Sequence, residues 1–88
     1  MNLFVVINPK GQNKELGTEI DRMMKRLNWI AIPNFPYGYT KEEKIDTPDY
    51  LTTMVRHDVA AAADQAEWSQ VEYLYTISNG RPQLETTK

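Results

Sequence analysis

Residues 48–68, PDYLTTMVRHDVAAAADQAEW, constrain the fold more than any other stretch, because they admit two backbones that lead to different architectures. In the first, the whole stretch is one helix. Thr47 is then a good N-cap, Pro48 occupies the first helical position, and Leu51, Met54, Val55, Val59, Ala62 and Ala66 fall near one stripe. In the second, a strand stops at His57. Tyr50, Thr52, Thr53 and Val55 lose side-chain freedom in a helix and suit a pleated surface. Asp58 then caps a separate helix over VAAAADQAEW, at the positive end of its dipole.

The flanking segments favour the second reading. LFVVI (3–7) is a short apolar run ended by Asn8-Pro9 and Gly11, a strand buried on both faces. Leu16, Ile20, Met23, Met24 and Leu27 recur at helical spacing and predict an amphipathic helix over about residues 13–27. WIAI (29–32) is a second short strand, stopped by Pro33. Residues 33–49 hold three prolines, a glycine and a charged run, and read as an irregular aromatic and charged loop. VEYLYTI (71–77) alternates as a strand, Asn79-Gly80 signals a hairpin turn, and PQLET reads as a short return strand at an edge. Residues 85–88 are a frayed tail.

With a strand at 50–56, the order becomes strand, helix, strand, strand, helix, strand. The expected fold is α+β: a ferredoxin-like βαββαβ antiparallel sheet with two helices on one face and a C-terminal β-hairpin extension, in a single domain over 1–88. One long helix would leave too few strands to cover both helices.

Such a sheet has a face without helices, and the first strand is apolar on that side too, through Phe4 and Val6. Exposing each forfeits roughly 1.5–3 kcal/mol. At 88 residues the core is small and a second subunit helps to bury apolar surface, so a homodimer through the open face or a sheet edge is expected. Net charge is −2 and gives no general pull toward nucleic acid or anionic lipid. There is no cysteine, hence no disulfide, thiolate nucleophile or Cys-based zinc site. MNLFVVINPKG is neither a signal peptide nor a membrane span, and a cytoplasmic location is expected.

The candidate contact residues are aromatic. Phe35, Tyr37 and Tyr39 alternate in a proline-braced segment, where they bury area at little entropic cost, and Tyr73 and Tyr75 mark an edge strand. Arg56-His57-Asp58 holds the only histidine. At a strand end, neighbours point in opposite directions and Asp58 serves as a cap, so structural duty outweighs catalysis. A lone histidine is no metal site, and no cofactor is expected. NPKGQNK places Gly11, Lys10 and Lys14 before a helix but matches no phosphate-loop pattern.

YLTTMVR lacks the aromatic run that an RNA-recognition sheet needs on its third strand. In layout alone the expected fold is similar to small endoribonucleases of CRISPR adaptation and of toxin–antitoxin modules. The CRISPR-adaptation family carries an aspartate at the end of the first strand for metal-dependent cleavage. Asn8 stands there in this chain, a poorer metal ligand. The expected function is therefore a small non-enzymatic module that dimerises and binds or inhibits another protein. The alternative is a nucleic-acid-binding or ribonuclease-like domain using Lys10, Lys14, Arg22, Lys25 and Arg26.

Overall fold

A computed structural model describes residues 1–45 and 47–78, apart from the side chain of Lys14. Along the chain run β1 (Asn2–Asn8), a 3-10 turn (Lys14–Leu16), α1 (Gly17–Arg26), β2 (Ile30–Ala31), β3 (Gly38–Glu42), α2 (Pro48–Gln65) and β4 (Glu72–Ser78). The four strands make one antiparallel sheet in the order β2-β3-β1-β4. The fold is thus α+β, with two helices and a four-stranded antiparallel sheet. The expected C-terminal return strand and the tail at 85–88 lie outside the described residues.

β1 runs through the middle of the sheet, as its doubly apolar sequence requires. Leu3, Val5 and Ile7 are buried and form the core with Ile20 and Met24 of α1 and Leu51, Val55, Val59, Ala62 and Ala63 of α2. Both helices therefore lie against the same face. The molecule measures 37 × 34 × 19 Å, and its thin dimension is that of one helical layer on one sheet.

The strand expected at 50–56 is not there: α2 is one unbroken helix from Pro48 to Gln65. Thr47 has extended backbone at the N-cap and Pro48 opens the first turn. The hydroxyl of Thr53 donates to the carbonyl of Asp49 (3.0 Å), which satisfies a β-branched residue inside a helix. Leu51, Val55, Asp58, Val59, Ala62 and Ala63 supply one buried stripe, and its tertiary packing outweighs local strand preference. Asp58 is accordingly no cap but a mid-helix residue turned into the core.

The missing strand comes from the segment expected to be a loop. Gly38–Glu42 pairs with β1, setting Tyr39 opposite Val5 and Lys41 opposite Leu3. Two consecutive proline turns lead into it. The amide of Phe35 bonds to the carbonyl of Ile32 (3.3 Å) across Pro33-Asn34, and that of Gly38 to Phe35 (3.0 Å) across Pro36-Tyr37. Asn34 (φ 67°) and Tyr37 (φ 60°) both take the left-handed conformation that a type II turn needs at its third position. Asn34 adopts it readily; for a bulky residue such as Tyr37 it is strained. The Tyr37 ring is braced edge-on by Trp68 (centroids 5.3 Å apart), and its carbonyl accepts from Ile7 (3.0 Å). A Cβ at Gly17 would collide with the Tyr37 hydroxyl, so glycine is needed where the 3-10 turn meets α1.

Both helices end alike. Asn28 (φ 72°) follows α1 and Glu67 (φ 58°) follows α2, each in the left-handed conformation. Trp29 then donates its amide to Met24 (2.9 Å) and Trp68 to Ala63 (2.9 Å), the long bonds of two Schellman motifs. Each motif turns a tryptophan back under its helix, where both are buried.

Candidate interaction surface

The polar centre of the molecule lies between the helices and β3. Asp58 Oδ2 accepts from the indole Nε1 of Trp29 (2.8 Å) and lies 3.8 Å from the Lys41 ammonium. That ammonium also donates to the carbonyl of Leu27 (2.9 Å), lies 3.4 Å from Glu43 Oε1, and stands 5.7 Å from the Trp29 ring centroid. His57 Nδ1 meets the other Asp58 oxygen at 3.1 Å, which a strand end would have prevented and adjacent helical positions allow. His57 itself remains mostly exposed. This network ties α2 to β3 and to the end of α1, and its charges are compensated in place.

A second polar contact, between the Tyr39 hydroxyl as donor and Asp21 Oδ1, joins β3 to α1. Burial first, then the hydrogen bond to Asp21 and its charge, and last the nearby Tyr37, push the Tyr39 phenol above its ordinary pKa. Tyr39, expected to contact a partner, is instead a fully buried core residue.

The other expected contact residues divide by face. Tyr73 and Tyr75, opposite Ile7 and Val5, turn toward the helices, are half-buried and lie ring to ring at 6.0 Å. Tyr37 is half-buried against Trp68. Phe35 alone lies on the helix-free side. A Cβ on Gly38, opposite the outward-facing Val6, would come within 2.9 Å of Phe35 Cβ and 3.8 Å of Ile32 Cβ.

That side carries more apolar groups than Phe35. Alternation along β1 turns Phe4 and Val6 outward, both half-buried. Leu74 pairs with Val6 and is 78% exposed; Ile30 pairs with Thr40, itself opposite Phe4, and is 66% exposed. Phe4 and Val6 of β1, Ile30 of β2 and Leu74 of β4 thus share this side with Ile32 and Phe35, while β3 contributes Gly38, Thr40 and Glu42 to it. The outward-facing charged strand residues on it are Glu42 and Glu72, with no lysine or arginine among them. Phe4 and Val6 were legible from the sequence, whereas Ile30, Ile32 and Leu74 join them only once the register is known.

Of the cations of the nucleic-acid alternative, Arg22, Lys25 and Arg26 are exposed at i, i+3 and i+4 on one face of α1, with Arg22 paired to Glu19 (2.9 Å). Lys10 lies beyond the far end of β1 from the Lys25 end of α1, a helix length of roughly 15 Å away. The side chain of Lys14 is outside the described part of the molecule. Lys10 lines a cleft of about 460 Å³ with Asn8, Gln70, Val71 and Glu72. There the carboxamide oxygen of Asn8 accepts from the Lys10 amide (2.9 Å), a turn-forming role. Among the described residues no three His, Cys, Asp or Glu side chains converge on a possible metal site, and no helix is long and apolar enough to cross a membrane. No protein-family model, curated protein or solved structure matches the chain.

Proposed function

We propose that this chain is a ferredoxin-like, non-enzymatic interaction module that acts by seating its helix-free sheet face on another protein surface. The fold reading is supported by the element order βαββαβ and by an antiparallel sheet whose two strands flanking β1 are β3 and β4. The functional reading rests on one observation: six apolar side chains lie on a face that neither α1 nor α2 covers, with Ile30 and Leu74 largely exposed. Patches of this kind on small proteins mark contact sites. The surrounding carboxylates disfavour nucleic acid, whose binding draws on cations.

A photo-crosslinking residue at position 74, with a control at position 22 on the outer side of α1, tests this in cells that make the protein. Protein adducts from position 74 and none from position 22 are expected. Adducts to nucleic acid, or adducts from position 22 alone, would contradict the reading.

A further inference from the structure

We infer that the occupant of the helix-free face is a second copy of this chain, the two sheets packed face to face with their strands aligned. The inference rests on the proposed role of that face and names its partner. Three observations carry it.

The first is size. The four strands, of seven, seven, five and two residues, present a face of roughly 330 Å², which the turn carrying Ile32 and Phe35 extends. Allowing for side-chain relief, self-pairing buries on the order of 800–1,000 Å² in total, the size of a weak, concentration-dependent pairing. The apolar residues reach from Ile30 on β2 to Leu74 on β4, so the centre of the face meets itself in any aligned two-fold pairing.

The second is charge. Glu42 flanks the Asn2 end of β1 on one side, and Glu72 flanks the Asn8 end on the other. They occupy diagonal corners about 22 Å apart. Sheets that stack face to face keep their strands within about 30° of each other. A two-fold axis along or across the strands satisfies this, and either one sets each glutamate over an uncharged corner of the other copy. Self-pairing therefore buries the apolar residues without stacking like charges.

The third concerns the ten residues after β4. Residues 79–88 read NGRPQLETTK and contain one large apolar side chain, Leu84, among two cations, one acid and several polar groups. That composition offers little with which to cover six apolar side chains.

Sedimentation velocity of the 88-residue chain at increasing concentration, with Leu74→Glu alongside, decides the matter. Leu74 is 78% exposed, so its replacement leaves the monomer fold intact, and unchanged circular dichroism verifies that. The wild type is expected to sediment at twice its 10.2 kDa chain mass, and Leu74→Glu at the chain mass, with a dissociation constant raised by at least about 100-fold. Ile30→Lys, on the opposite side of the face, should dissociate the pair in the same way. A wild type that stays at 10.2 kDa throughout, or a Leu74→Glu variant that remains paired, overturns the inference. If the wild type is monomeric while position 74 still crosslinks to a different protein, self-pairing fails and the interaction reading stands. A crosslink from position 74 to residues 79–88 of the same chain overturns both.

Discussion

Replacing Asp58 by alanine is expected to cost about 2–4 kcal/mol, a large share of the stability of so small a domain. The carboxylate is 5% exposed and does two things at once. It accepts the indole hydrogen of Trp29, and it compensates Lys41, whose side chain is only 12% exposed. Alanine leaves an unsatisfied N–H and a largely buried ammonium whose nearest remaining carboxylate is Glu43 at 3.4 Å. Asp58→Asn should fall between the two, because its amide oxygen can still accept from Trp29 although the charge is gone. Adding Lys41→Met should recover part of the loss, so the pair of substitutions costs less than the sum of the single ones. Urea titration of wild type, the three single variants and the double variant measures this. An alanine variant within about 0.5 kcal/mol of wild type would mean that the network does not hold α2 in place.

Tyr39→Ala is the second large effect, about 3–5 kcal/mol, since it empties a fully buried aromatic site between β1 and α1. Tyr39→Phe keeps the ring and removes only the bond to Asp21, and should cost about 1.5–3 kcal/mol. The two variants also differ from wild type in alkali. The folded phenol is held above its ordinary pKa, mainly by burial and then by Asp21, so the fold favours the neutral form. That contribution is complete below about pH 10, where the unfolded tyrosine ionises, and is lost as pH rises from there toward the raised folded value. Wild type should therefore lose stability more steeply than Tyr39→Phe as pH rises above roughly 10. Parallel slopes for the two proteins would show that Tyr39 is not the group responsible.

Much of the architecture could be read from periodicity. β1, α1 and β4 each announce themselves through alternation or helical spacing, and the observed bounds differ from the expected ones by a few residues at most. The second half of the sheet could not be read this way. β3 has one large apolar core side chain, Tyr39, and its inward neighbour is Lys41, a residue type that normally marks a solvent face. Lysine points inward here because Asp58, seventeen positions along the chain, waits for it on α2. Only the tertiary pairing makes either residue intelligible.

The same coupling explains the misread helix. Thr52, Thr53 and Val55 favour a strand locally, but an apolar stripe from Leu51 to Ala63 packs against α1 and the sheet, and that packing prevails. Counting strands before settling β3 led to the wrong division at His57. The sheet exists nonetheless, one strand having been drawn from a different segment.

For the contact surface, alternation along β1 revealed Phe4 and Val6 but gave no account of their neighbours. Aromatic spacing pointed to residues 35, 37 and 39, whereas the proline turns send these three to different places. Phe35 goes to the open side, Tyr37 onto Trp68, and Tyr39 into the core. A period of two cannot be followed through backbone that reverses at Asn34 and again at Tyr37.

Self-pairing requires that the helix-free face be covered in solution. Methyl NMR of the 88-residue chain with a soluble paramagnetic probe measures this residue by residue. At concentrations where pairing is complete, the methyls of Val6, Ile30 and Leu74 should be shielded nearly as well as those of Ile20 and Leu51, and should become accessible in Leu74→Glu or on dilution. If Ile30 and Leu74 broaden at every concentration as their 66% and 78% exposure dictates, the face is bare in the isolated protein and self-pairing is contradicted.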